Sequence, residues 1–190
     1  MLEKEELIRI ISELALDHDG SNVHRCVAGR HINSLASTRG SMLADNRYTR
    51  ADRFPALYTS YYDYLAIREV TQQRIYQEAL PGAGTVSNFT FSVRVNCDGV
   101  LDLMQPEIQS ALGTNLQELT GEWKLLNELN LDAPTQILGQ AAFESGVVKA
   151  IRYPSKIEPH RANLVIFKDR IGHPLVPLNL PPNFPPQEPL

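Results

Sequence analysis

A chain of 190 residues with 43% apolar and 21% charged side chains holds one core of ordinary size and is short for two domains. No apolar run approaches the roughly 18 residues of a membrane span, and the acidic opening Met1-Leu2-Glu3-Lys4-Glu5-Glu6 is unlike an export signal, so a cytoplasmic protein with no membrane contact is expected. A net charge of −4 argues against direct binding to nucleic acid, and Cys26 and Cys97 stand alone, without metal or redox spacing.

Leu7, Ile8, Ile10, Ile11, Leu14 and Leu16 recur at helical spacing and predict an amphipathic helix over 3–16, within an N-terminal unit of residues 1–20. Residues 21–55 show weak periodicity and read as a long loop, a length that is often functional in a compact domain. Ala56–Thr59 reads as a short strand. Ser60 and Asp63 have capping-box spacing and start a helix running to about Ala79, which Leu80-Pro81-Gly82-Ala83-Gly84 breaks. Strict alternation over Asn88–Val95 predicts a half-buried strand, with Phe89, Phe91, Val93 and Val95 on one face. Val100–Leu103, Ala150–Pro154 and Asn163–Phe167 read as further strands, and Pro106 and Pro134 open helices. From Pro174 onward seven prolines fall in 17 residues, so the C-terminal arm (173–190) is expected to be extended and partly disordered, or laid along the surface. The expected architecture is a single compact α+β domain (core 21–172) with a mixed or antiparallel sheet, an N-terminal helix and a proline-rich arm.

Between Arg25 and Arg53 lie six arginines against Asp45 and Asp52, and no lysine occurs between Lys4 and Lys124. The planar guanidinium suits bidentate recognition of phosphate or carboxylate, which points to a small anionic ligand. Common alternatives find no support: Gly82-Ala83-Gly84 follows a helix rather than a strand, the five histidines lack ligand spacing, so no metal is expected, and Ser155 lacks a nucleophile elbow. What remains is the segment Arg47 to Glu69. There Tyr58 at a strand end and Glu69 on the next helix can converge on one pocket, although alone each reads as an ordinary core tyrosine and surface glutamate.

Arg47-Tyr48, Leu57-Tyr58-Thr59-Ser60 and Glu69-Val70, with Val23-His24-Arg25 upstream, resemble the signature of the RES-domain family. Val100–Leu103, Gly121-Glu122-Trp123, Gln136–Ala141, Ile151–Ser155 and Asn163–Phe167 follow in the family's order, so the resemblance covers roughly 23–170. Where the family usually has Gly-Gly-Arg-Trp-Asn, this chain has Asp45-Asn46-Arg47-Tyr48-Thr49. The resemblance implies an ADP-ribosyltransferase-like NAD⁺ pocket and the toxin of a toxin–antitoxin pair, cleaving the nicotinamide–ribose bond by phosphorolysis or hydrolysis, with NAD⁺ as substrate and inorganic phosphate as a candidate co-substrate. It implies Arg47, Tyr58 and Glu69 as catalytic, and Arg25, Arg47, Tyr48, Tyr58 and Ser155 as NAD⁺-binding residues. A cognate Xre-type antitoxin is the implied partner, and homodimerisation is a further expectation. The alternatives are a catalytically impaired nucleotide-binding module, an ADP-ribosyltransferase acting on a protein, and an interaction protein that uses its proline-rich arm.

Overall fold

A computed structural model describes residues 1–78, 87–178 and 180–185. Its centre is an eight-stranded mixed sheet built from β1 (Asp17–Asp19), β2 (Asn22–Ala28), β3 (Ala56–Ser60), β4 (Asn88–Arg94), β5 (Cys97–Asp102), β6 (Ala150–Pro154), β7 (Ala162–Phe167) and β8 (Pro177–Leu178). The strand order is β1-β5-β6-β7-β3-β2-β4-β8. Among the described residues only β5 and β6 pair in parallel; the helices α4 (Pro106–Ala111), α5 (Leu116–Thr120), α6 (Trp123–Glu128) and α7 (Pro134–Glu144) fill the connection that a parallel pair requires.

Each face of the sheet carries its own core. On one face Tyr58, Ile151, Tyr153, Val165 and Phe167 meet α1 (Lys4–Glu13) and α7, with Leu7, Ile11, Leu138 and Ala142 fully buried between them. On the other, Leu57, Ala150, Leu164 and Ile166 meet Val23, Val27, Phe91 and Val93. The strict alternation along β4 fits this plan: Phe91 and Val93 are buried while Arg94 is exposed.

Three elements differ from expectation. Helix α1 ends at Glu13, because Leu14 is extended (φ −71°, ψ 144°), and the chain passes directly into β1. The expected long loop 21–55 contains β2, which pairs along its whole length with β4 from Asn22↔Arg94 to Ala28↔Asn88. Cys26, Val27 and Ala28 are all buried, so β2 lacks the in-and-out alternation that marks a half-exposed strand. A helical turn (Gly29–Ser34) and α2 (Arg39–Leu43) occupy more of the same stretch. Helix α3 opens at Asp63 and runs to Glu78; Ser60 Oγ accepts the Tyr62 N–H at 3.3 Å, a local turn rather than a reciprocal capping box. The expected break at 80–84 lies outside the described residues.

The first part of the proline-rich arm lies against the sheet. Leu175 is buried, β8 pairs with β4 through Ser92↔Leu178 and Val93↔Pro177, and Phe184 packs on Phe89 at 5.0 Å between ring centroids. No helix among the described residues is long and apolar enough to cross a membrane.

Candidate functional site

Sheet register sets the site. Ser60 lies opposite Asn163 on β7, and Asn163 lies opposite Tyr153 on β6, so these side chains form one row across three strands on the α7 face. The next row is Tyr58, Val165 and Ile151. Above them opens a cleft of about 770 Å³. Tyr58, Tyr153 and Asn163 line it from the sheet, Arg25 from β2, Glu69 from α3, Arg47 from the loop before β3, and Trp123 from α6.

Glu69 is held from below. Its Oε1 accepts a hydrogen bond from Ser155 Oγ at 2.7 Å and another from Asn163 Nδ2 at 2.9 Å. Ser155 is fully buried and its Oγ also accepts the N–H groups of Ile157 and Glu158 at 3.0 and 3.3 Å. Both anchors therefore stand on one carboxylate oxygen and fix the rotamer of a half-buried acid.

The arginines are positioned differently. Arg25 donates from Nη1 to the Ser37 carbonyl at 2.9 Å, and burial pushes its guanidinium down to about 10, so it stays cationic at neutral pH. Arg47 donates from Nη1 to the carbonyls of Leu119 and Gly121 at 2.8 and 3.0 Å, which ties the α5–α6 corner to the cleft wall. Lys156, directly after Ser155, also lines the cleft and forms an ion pair with Glu122.

Behind Arg47 the loop is braced by α7. Gln136, 1% exposed, donates from Nε2 to the Asn46 carbonyl at 2.8 Å and accepts the Ala133 N–H at 2.9 Å. A Cβ at Gly139 would sit 2.0 Å from the Tyr48 carbonyl oxygen, so the helix approaches the loop backbone as only glycine allows. These contacts give the Gln136–Ala141 motif a physical role that its sequence alone does not disclose.

Of the six expected site residues, Arg25, Arg47, Tyr58 and Glu69 line one cleft. Two are placed otherwise. The Tyr48 side chain has no exposed surface; its ring packs 4.7 Å from that of Tyr153 and its hydroxyl is buried without a partner, so it supports the site from the core. Ser155 is directed at Glu69 rather than at the cleft, because its hydroxyl is committed to one donated and two accepted bonds. Tyr58 does reach the cleft, but its hydroxyl accepts the Tyr48 N–H at 3.2 Å and donates to Thr49 Oγ1 at 3.3 Å. Tyr153 and Asn163 join the site beyond the six expected residues. In sequence they are an apolar-strand tyrosine and a strand-start asparagine, and only the register sets them beside Glu69.

No group of three or more His, Cys, Asp or Glu converges as a metal site among the described residues. The assembled chemistry is one anchored carboxylate, a rim where Arg25, Arg47 and Lys156 stand with Glu122 and Glu128, and an aromatic floor, which suits a ligand that combines sugar hydroxyls with anionic groups.

No curated protein matches the chain. Among solved structures, the crystal structure of the M. tuberculosis MbcT–MbcA toxin–antitoxin complex contains a chain similar in fold, with a TM-score of 0.68 at 20% identity, covering 92% of each chain. The family model of the RES domain matches residues 22–182. That match spans strands β2 to β8, the cleft and the start of the arm, and the chain belongs to the RES-domain family.

Proposed function

We propose that this protein is the toxin of a toxin–antitoxin pair and that it cleaves the nicotinamide–ribose bond of NAD⁺. The observation that carries the reading is the carboxylate of Glu69, anchored by Ser155 and Asn163 on one oxygen inside a cleft that also presents Arg25 and Arg47. As nicotinamide leaves with the bonding electron pair, C1′ of the ribose becomes oxocarbenium-like, and a fixed carboxylate stabilises that charge without reorganising. Arg25, and the Arg47 nitrogens not bonded to carbonyls, supply the cationic rim for the pyrophosphate, and the rings of Tyr58 and Trp123 supply apolar surface for the bases. The pocket then resembles that of ADP-ribosyltransferases in use.

Attack on C1′ by an oxygen of hydrogen phosphate yields ADP-ribose-1″-phosphate, nicotinamide and a proton; attack by water yields ADP-ribose, nicotinamide and a proton. The cluster of cations favours phosphate. An Xre-type antitoxin would restrain the enzyme by covering the cleft, and the toxin–antitoxin complex of its structural neighbour supports such a partner. A second reading, a nucleotide-binding module of weak activity, is favoured by the commitment of Arg47 Nη1 to two backbone carbonyls.

The test is nicotinamide release from NAD⁺ with and without inorganic phosphate, with products identified by mass. Release that requires phosphate is the expected result. A folded protein that NAD⁺ stabilises against melting but that releases no nicotinamide would leave the binding module in its place.

A further inference from the structure

Two tyrosines line the cleft, and their hydroxyls differ in what they can do. The Tyr58 hydroxyl is engaged in both directions, accepting from the Tyr48 N–H and donating to Thr49. The Tyr153 hydroxyl makes no hydrogen bond among the described residues, although the side chain is 6% exposed and its ring is fixed against Tyr48. Unlike the sealed Tyr48 Oη, Arg161 Nε and Asn163 Oδ1, it belongs to a residue that lines the cleft and keeps slight exposure. A phenolic hydroxyl that borders a cleft and has no protein partner is available for use by a ligand, whereas the sealed Tyr48 hydroxyl is not.

The position of Tyr153 shows what that use is. It stands directly opposite Asn163 in the β6–β7 register, and Asn163 grips the Glu69 carboxylate at 2.9 Å. Resting on the NAD⁺ reading above, we infer that Tyr153 is a substrate-contacting residue, whose hydroxyl donates to a hydroxyl oxygen of the nicotinamide ribose while Glu69 accepts that sugar's O–H groups. The partner is a sugar hydroxyl rather than a phosphate, because Glu69 repels an anion at this spot, whereas a hydroxyl can accept from the phenol and donate to the carboxylate. Burial, reinforced by the charge of Glu69, holds the Tyr153 phenol well above its ordinary value, so it remains a donor across the working pH range. The division of labour among the tyrosines follows: Tyr58 offers its ring, and Tyr153 offers the phenolic hydrogen bond.

The test is Tyr153→Phe in the full chain, with NAD⁺ and with two analogues that each lack one hydroxyl of the nicotinamide ribose. Since the hydroxyl has no protein partner, the melting temperature should stay within about 2 °C of wild type. The kcat/KM for NAD⁺ should fall about tenfold, the worth of one hydrogen bond near the reacting centre. With one of the analogues the wild type should already have lost this advantage, and Tyr153→Phe should cost nothing further. Wild-type kcat/KM in Tyr153→Phe, or a full loss with both analogues, would overturn this inference and leave the NAD⁺ reading intact. Absence of NAD⁺ turnover in wild type would overturn both.

Discussion

The two faces of the sheet each hold a cluster of charged and phenolic groups, and they are built on opposite rules. Around Arg152 every group is matched. Its Nη2 donates to Asp19 at 3.1 Å, Nη1 to Asp102 at 2.9 Å and Nε to the Tyr61 hydroxyl at 3.0 Å, while Tyr61 donates in turn to Asp19. Around Glu69 the matching is one-sided. Ser155 and Asn163 converge on Oε1, the Tyr153 hydroxyl has no described partner, and the cations line an open cleft. Both clusters carry perturbed titrations, so perturbation alone does not identify the site. Unused hydrogen-bonding capacity does, because a closed network has nothing left to offer a ligand.

Three substitutions sharpen this contrast. The largest effect is expected at Glu69→Gln, which keeps the shape and both anchors but removes the charge. NAD⁺ turnover should drop about 10²–10³-fold with little change in melting temperature, and turnover equal to wild type would remove Glu69 from the chemistry. In the closed cluster the reverse is expected. Asp19→Asn should destabilise the fold by about 3 kcal/mol in denaturant titration while leaving turnover per folded molecule unchanged. Burial alone would raise the Asp19 carboxyl, but hydrogen bonds from Tyr61, Ser21 and Arg152 hold it below the ordinary 3.8. Its contribution is therefore present above that value and is lost as the pH falls from there through the lowered folded-state value. Wild type should lose more stability than Asp19→Asn on acidification, and parallel curves would contradict the network. The smallest effect is expected at Tyr48→Phe. Removing a buried hydroxyl that has no partner should raise stability by up to about 1 kcal/mol, and a clear loss would mean that this hydroxyl is engaged.

Much of the scaffold was legible because it obeys one period at a time. The alternation of β4, the prolines that open α4 and α7, and the apolar run of β7 each declare themselves within a few residues. Strand β2 did not, since it is buried along Cys26–Ala28 and carries His24 and Arg25 toward the cleft, so it mixes core and site in one segment. The candidate site was legible in part for a similar reason. Arg25, Arg47, Tyr58 and Glu69 lie within an ordered motif, whereas Tyr153 and Asn163 gain their meaning from strand register, and Ser155 from the direction of a single hydroxyl. Gln136 and Gly139 act on a loop some ninety residues away in sequence, a relation that no local pattern encodes.

The short pairing of β8 with β4 has a consequence beyond local packing. Strand β4 carries Phe89, Phe91 and Val93, and without the arm its outer backbone amides and carbonyls would offer a template for another chain's strand. At the opposite margin β1 is only three residues long and holds Asp17, His18 and Asp19, a poor template of its own. The proline-rich segment thus acts as a selvedge, a finished border that keeps the sheet from growing, and proline, which has no N–H to donate onward, is the residue suited to that task.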